Sequence, residues 1–342
     1  MANCVGRRVA FRDEGFCEPM MRGQALRRVL WVGLPVAALL ACGACGVAQD
    51  AGDTFTLSVN AQVVTVPVTV RDSKGKLLES LTRDDFALTE DGTPQRIRYL
   101  TIDRDRPLTL GLLVDTSGSQ KEYIKKERAA AKTLFDTMLT RKEDTAFLVR
   151  FDNAITMLQK PTSSKDELDA ALEHLEDAHP WRLDHPGGTL FYDALDLTCE
   201  RITRNVEGRN AVIVLTDGSD NGSVLTLDAT VAAAQVSNTV IYSILYTDES
   251  SGWLGTKQAV AGKQVLERLS AETGGHMYQV SGREPLEKIF ADIAEEMRTQ
   301  YVLAYSPTKG GAGSGFRKIE LTGKDKSWKV QTRSGYYYSG MN

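Results

Sequence analysis

Histidine is scarce in this chain. His174, His179, His185 and His276 are the only four, and none falls in a His-Glu-x-x-His pattern, so no zinc-protease motif is present. Cysteine is thinner still where a fold would need it. Four of the five precede residue 46, and Cys199 stands alone in the rest. A lone thiol closes no internal disulfide, so the mature fold must be stable without one. Cys199 lies among Leu195, Leu197 and Ile202 in a helical stretch, which points to apolar packing. Basic excess is also lacking. The formal net charge is -4, and six of the arginines sit in residues 1–48, leaving 35 basic against 42 acidic residues in 49–342. No nucleic acid partner is expected from that balance. A Walker-type loop and a dinucleotide fingerprint are missing. Gly313-Ser-Gly has no strand before it to make a nucleophile elbow.

What is present begins with a targeting segment, residues 1–48. Arg22, Arg27 and Arg28 precede an uncharged, mostly apolar stretch, Val29 to Ala41, of signal-peptide length. Residues 1–19 sit awkwardly before it, and Met20 or Met21 makes a more natural start. Export is the expectation, to the periplasm, the cell envelope or the medium. Three fates stay open. Cleavage after Ala48 releases a soluble protein. Leu39-Leu-Ala-Cys42 resembles a lipobox, which would make Cys42 a lipid anchor. Left uncleaved, Val29 to Ala48 is about long enough to span a bilayer. The last two would give membrane anchorage through the N-terminal segment.

Beyond it the patterning changes twice. Phe55, Leu57 and Val59, then Val64, Val66, Val68 and Val70, alternate as half-buried strands do. Asp72-Ser-Lys-Gly75 is a turn, and Asp91-Gly92 is a hairpin turn between Phe86–Glu90 and Gln95–Leu100. From Leu108 apolar runs (108–114, 145–151, 211–216, 239–246, 276–280) alternate with helical patterns (121–139, 165–177, 190–204, 227–237, 262–273, 285–299). That order implies α/β architecture, a doubly wound, mostly parallel sheet covered on both faces. In Glu122–Leu139 the core face carries Ile124, Ala131, Leu134, Phe135 and Met138. Residues 248–262, with Trp253, read as a polar surface loop. After Thr299 strands return at 301–305, 317–321, 328–332 and 335–338, with a glycine-rich turn at 310–315. Residues 53–106 and 300–342 are each too small to stand alone. Pairing them into one flanking β-sandwich, with 107–299 inserted, is the economical arrangement.

Ligand sites in open α/β sheets lie beyond the carboxyl ends of the strands. The run 108–114 leads into Asp115-Thr-Ser117-Gly-Ser119, a carboxylate and two hydroxyls at alternate positions. The run 211–216 leads into Asp217-Gly218. Between them Pro186-Gly-Gly-Thr189 brings a hydroxyl to a helix start. Oxygen donors alone suit a hard divalent cation.

In this order the residues resemble a von Willebrand factor type A domain over about 107–299. The resemblance implies a metal-ion-dependent adhesion site. Ser117, Ser119 and Thr189 would supply hydroxyls, Asp115 and Asp217 carboxylates, and some contacts would pass through water. The ion would be Mg²⁺, or Mn²⁺ or Ca²⁺ in its place. One position would stay open for an Asp or Glu of a protein ligand. Shifts of the final helix, Pro285–Thr299, can accompany affinity changes in such domains, so coupling between sandwich and site is a further expectation. The flanks, with Leu81-Thr-Arg-Asp-Asp-Phe86, Glu90-Asp-Gly92, Tyr301-Val-Leu-Ala-Tyr305 and Ser334-Gly-Tyr336, resemble bacterial exported proteins of a related family.

The expected function is thus divalent-cation-dependent protein binding in an exported protein, not an enzyme. Two alternatives stand beside it. One is an envelope scaffold whose metal only ties loops together. The other is a phosphoesterase using Asp115 as nucleophile, although haloacid-dehalogenase-like phosphatases carry a second Asp where Ser117 stands. Asp220-Asn221, just beyond Asp217, reads as solvated loop polarity, with shaping of the site's rim as the alternative. His179, Trp181 and His185, in the loop before Thr189, read as packing on their own domain, with contact to a partner as the alternative.

Overall fold

Period-two burial shapes the N-terminal segment. In the computed structural model, residues 63–102, 106–120, 123–176, 188–246, 253–308 and 314–339, with residue 11, are described. Residues 62–342 fall with residues 1–14 in one compact unit; 15–61 form a second, none of it described. The targeting segment apart from Phe11, the alternating stretch 54–61 and the His179–His185 loop therefore lie outside the described residues. Strand β1 (Val64–Arg71) buries Val64, Val66, Val68 and Val70 on one side. Strands β2 (Phe86–Glu90) and β3 (Thr93–Gln95) form the expected hairpin. Asp91 and Gly92 both adopt positive φ, 47° and 73°, as the two-residue turn requires. The expected second strand is split, however. After Arg96 the chain passes to the other sheet as β4 (Ile97–Ile102), so Gln95 and Ile97 are both buried but belong to different sheets.

The central layer follows in chain order. Its elements are β5 (Leu108–Asp115), α1 (Ile124–Met138), β6 (Thr145–Phe151), β7 (Ile155–Thr162), α2 (Lys165–Glu173), α3 (Phe191–Thr198), β8 (Arg209–Thr216), α4 (Leu227–Val236), β9 (Thr239–Leu245), α5 (Trp253–Thr273), β10 (Met277–Gln279) and α6 (Leu286–Thr299). The six strands lie in the order β10-β9-β8-β5-β6-β7, all parallel except β7. Helices α1, α2 and α6 cover one face around Leu110, Leu134 and Phe290. Helices α3, α4 and α5 cover the other around Phe147, Phe191 and Val214. This is the doubly wound sheet that alternating strands and helices imply. Two elements differ from the sequence reading. Strand β7 is an edge whose later half, Gln159-Lys-Pro161, is too polar to read as an apolar run. Helix α5 begins at Trp253, not near 262, because Gly255 and Gly262 look like loop signals in sequence. Among the described residues no helix is long and apolar enough to cross a membrane.

The chain closes with β11 (Tyr301–Tyr305), β12 (Ser314–Gly323), β13 (Lys329–Thr332) and β14 (Gly335–Ser339). These pair with the N-terminal strands, in antiparallel sheets β13-β1-β11-β4 and β14-β12-β2-β3. Val66, Leu88, Leu303 and Ile319 fill the core between them. The flanking β-sandwich is thus built from both ends of the described chain.

Only Gln300 separates α6 from the sandwich strand β11. One turn earlier, buried Glu296 joins three parts of the fold. Its carboxylate accepts from Thr69 Oγ1 (3.4 Å) and Arg71 Nη2 (2.7 Å) of β1, from Gln331 Nε2 (3.4 Å) of β13, and from Tyr242 OH (3.1 Å) of β9. Arg333 adds a second tie. It donates to Thr65 O (2.7 Å) in the sandwich and to Asn238 Oδ1 (2.9 Å) before β9.

Candidate functional site

Strand order explains why the site residues meet. From β5 the chain winds outward through β6 to β7, then returns to β8 on the other side of β5 and winds outward to β10. Adjacent β5 and β8 therefore send their exit loops apart, which opens a crevice at their carboxyl ends. Asp115 ends β5, and Asp217 directly follows β8.

Asp115 forms the floor and is fully buried. Its Oδ1 accepts the Ser117 amide (2.9 Å), and its Oδ2 accepts the Thr216 hydroxyl (2.7 Å). Ser117 Oγ lies 3.2 Å from Ser119 Oγ, and Ser119 Oγ donates to Asp217 Oδ2 at 3.0 Å. Asp217 Oδ1 accepts the Ser219 amide at 2.8 Å. Four of the five expected residues thus form one chain of short polar contacts, from a buried floor to an exposed Ser119. Thr189, the fifth, is brought to the same loop by backbone pairing with Asn221, at 2.9 and 3.3 Å. Gly188 permits that pairing, since a Cβ there would lie 2.8 Å from Asn221 O.

The electrostatics favour a cation. Burial pushes the Asp115 carboxyl up to about 6, with Asp217 adding repulsion and the Ser117 and Thr216 hydrogen bonds opposing. Two carboxylates and the Ser117 and Ser119 hydroxyls, with Thr189 held to the neighbouring loop by its backbone, offer oxygen donors alone, a set that fits a hard divalent cation. A positive charge between the acids would relieve both the burial and the repulsion.

Several residues that build the site escaped the sequence reading. Asp152, directly after β6, accepts the Thr116 hydroxyl (3.3 Å) and the Ala154 amide (2.9 Å), and its carbonyl takes the Leu190 amide (2.8 Å). The criterion that found Asp115 and Asp217, a carboxylate just past a strand, would have found it as well. Asp220 follows the alternative given for it, shaping the rim, and not solvated loop polarity. It accepts the Tyr192 amide (3.2 Å) and the Ser223 hydroxyl (2.5 Å). Asp193 accepts the Val224 and Leu225 amides, the latter at 3.0 Å. Together they bind the loop after β8 to the start of α3. Cys199 is fully buried, and burial pushes its thiol up to about 12, so it is inert packing as expected.

Residues 110–219 match the von Willebrand factor type A domain family, so the chain contains a domain of that class. Three solved structures are similar to it in fold. BatB, a conserved hypothetical protein from Bacteroides thetaiotaomicron, is 14% identical, with a TM-score of 0.42 over 56% of this chain and 97% of its own. Proximal thread matrix protein 1 of the mussel byssus is 18% identical, with a TM-score of 0.47 over 61% of this chain and 51% of its own. The pilus adhesin SpaC from Lactobacillus rhamnosus GG is 11% identical, with a TM-score of 0.43 over 73% of this chain and 47% of its own. None is close enough to bring a partner or a chemistry with it. No curated protein matches the chain in sequence.

Proposed function

We propose that this is the divalent-cation-dependent protein-binding module of an exported protein. Asp115, Ser117, Ser119, Thr189 and Asp217 hold Mg²⁺, with Mn²⁺ or Ca²⁺ as substitutes, and an Asp or Glu of a partner protein completes the ion's shell. The observation that carries this reading is the unbroken contact path Asp115–Ser117–Ser119–Asp217 at the switch point of the sheet. Hydroxyl ligands leave the ion less neutralised than carboxylates would, so it retains attraction for an outside acid. We assign the site no catalytic step. Ser117 occupies the place where a phosphatase of the alternative class needs its second acid. The domain runs over 107–299, set into the sandwich of 53–106 and 300–342. Export rests on residues 1–48, with anchorage in the membrane as one of its outcomes.

Immobilised protein should capture a partner from the exported proteome in Mg²⁺ and release it in EDTA. The Asp115→Ala variant should capture nothing above background. Capture that ignores EDTA would remove the adhesion reading. Stabilisation by Mg²⁺ with no capture would favour the scaffold reading instead, since any bound ligand stabilises a fold.

A further inference from the structure

We infer that Asp152 is a positioning residue of the cation site, whose side chain sets how far Thr189 stands from the Ser117–Ser119 pair. The inference rests on the cation-site reading above and adds no ligand to it. Three stretches of chain must converge to complete that site. Ser117 and Ser119 lie on the β5 exit, Asp217 lies on the β8 exit, and Thr189 lies on residues 188–190, which belong to no strand of the central sheet. Toward β8 that short stretch is held by its backbone pairing with Asn221. Toward β5 it is held by the turn between β6 and β7. The β5–β6 pairing ends at Asp115 and Phe151, so the turn beyond needs other ties. The Thr116 amide donates to Phe151 O (2.9 Å), and the Leu190 amide donates to Asp152 O (2.8 Å). The stacked rings of Phe151 and Phe191, 5.9 Å between centroids, hold the start of α3 against β6.

The Asp152 carboxylate divides its two oxygens between two tasks. Its Oδ1 accepts the Ala154 amide (2.9 Å), while the Asp152 amide donates to Ala154 O (3.0 Å), so the turn is closed from both sides. A side-chain turn of this kind fixes the peptide whose carbonyl Leu190 uses. Its Oδ2 accepts the Thr116 hydroxyl at 3.3 Å, and Phe151 O, the other acceptor in reach of that hydroxyl, is farther at 3.5 Å. Thr116 stands between Asp115 and Ser117 and is buried, so it has little room to move. One carboxylate thus joins the β5 exit to the peptide that carries residues 188–190. Closing the turn needs only one of its oxygens. The second acts on the neighbours of two ligands, Asp115 and Ser117. Metal sites depend on such supporting contacts, because ligands held loosely bind the ion less well.

Mg²⁺ titration by calorimetry, with thermal unfolding in EDTA, tests this on the full protein. Asp152→Ala should bind Mg²⁺ about tenfold more weakly, the lower end of what losing a supporting group costs a metal site. Asp152→Asn should stay within about threefold of wild type, because its amide oxygen can close the turn and its amide nitrogen can donate to the Thr116 hydroxyl. Thr116→Val cuts only the hydroxyl bond; it should also bind more weakly than wild type, and it decides the matter if Asp152→Ala does not fold. Thr189→Ala should cost about tenfold in wild type and under about twofold in the Asp152→Ala background, since coupled positions are not additive. Additive losses overturn the inference. Wild-type Mg²⁺ affinity in Asp152→Ala or Thr116→Val overturns it too, whatever the melting point does. Asp152→Asn as weak as Asp152→Ala would assign the effect to charge and also overturn it. No Mg²⁺ binding by wild type, or no cost of Thr189→Ala there, would instead defeat the site reading and the inference with it.

Discussion

Replacing Glu296 with alanine should cost about 3–5 kcal/mol of stability, the usual loss when one partner of a buried ion pair is removed. The Glu296 side chain is 0% exposed and its partner Arg71 only 25%. Truncation leaves that guanidinium facing a void. It also strips acceptors from the Tyr242 hydroxyl, which is fully buried, and from Thr69 and Gln331. The lost bonds belong to two layers, so the loss should appear in a single transition of the whole compact unit. Urea denaturation of wild type and variant measures it, and a change below about 1 kcal/mol, the typical worth of one hydrogen bond, would contradict the hub. Mg²⁺ affinity in the same variant reports whether the sandwich acts on the cation site through α6.

Gly262→Ala should be nearly as damaging and should also disable the site. A Cβ on Gly262 would lie 2.1 Å from Asp217 O, and one on Gly218 would lie 2.5 Å from Gly262 O. The backbones of α5 and of the β8 exit are therefore in direct contact, with no room for a methyl group. Neither backbone can rotate away as a side chain could, so the exit turn must move and carry the Asp217 carboxylate with it. Overpacking of this kind costs about 1–3 kcal/mol or more. Mg²⁺ affinity should fall at least about tenfold, which is about 1.4 kcal/mol. Gly282→Ala is the control, because nothing lies within 4 Å of its added Cβ. Wild-type Mg²⁺ affinity in Gly262→Ala would show that the contact does not set the position of Asp217.

Much of this was legible in the residues. Mostly apolar runs marked five strands of the central sheet, and each expected cation ligand lay just past such a run or at a helix start. Asp91-Gly92 announced its hairpin because few other pairs accept two positive φ values. What stayed hidden depended on contacts between distant segments. Gly255 and Gly262 looked like a loop and proved to be helix, since at Gly262 the need for glycine comes from Asp217. Glu127 sits in Lys125-Lys126-Glu127-Arg128 and reads as part of a solvated charged face. Its spacing of three from Ile124 and four from Ala131, both core residues, was the signal that it turns inward. Glu296 was concealed in the same way beside exposed Glu295, because its partners come from residues 69, 71, 242 and 331.

The central claim is an all-oxygen cation site completed by an outside acid. Calorimetric titration of Mg²⁺ into wild type and into Asp217→Ala tests it most directly, repeated with a saturating acidic peptide. Wild type should bind one Mg²⁺, more tightly with the peptide present, and the variant none. Equal binding by both proteins, or none by wild type, would contradict the account.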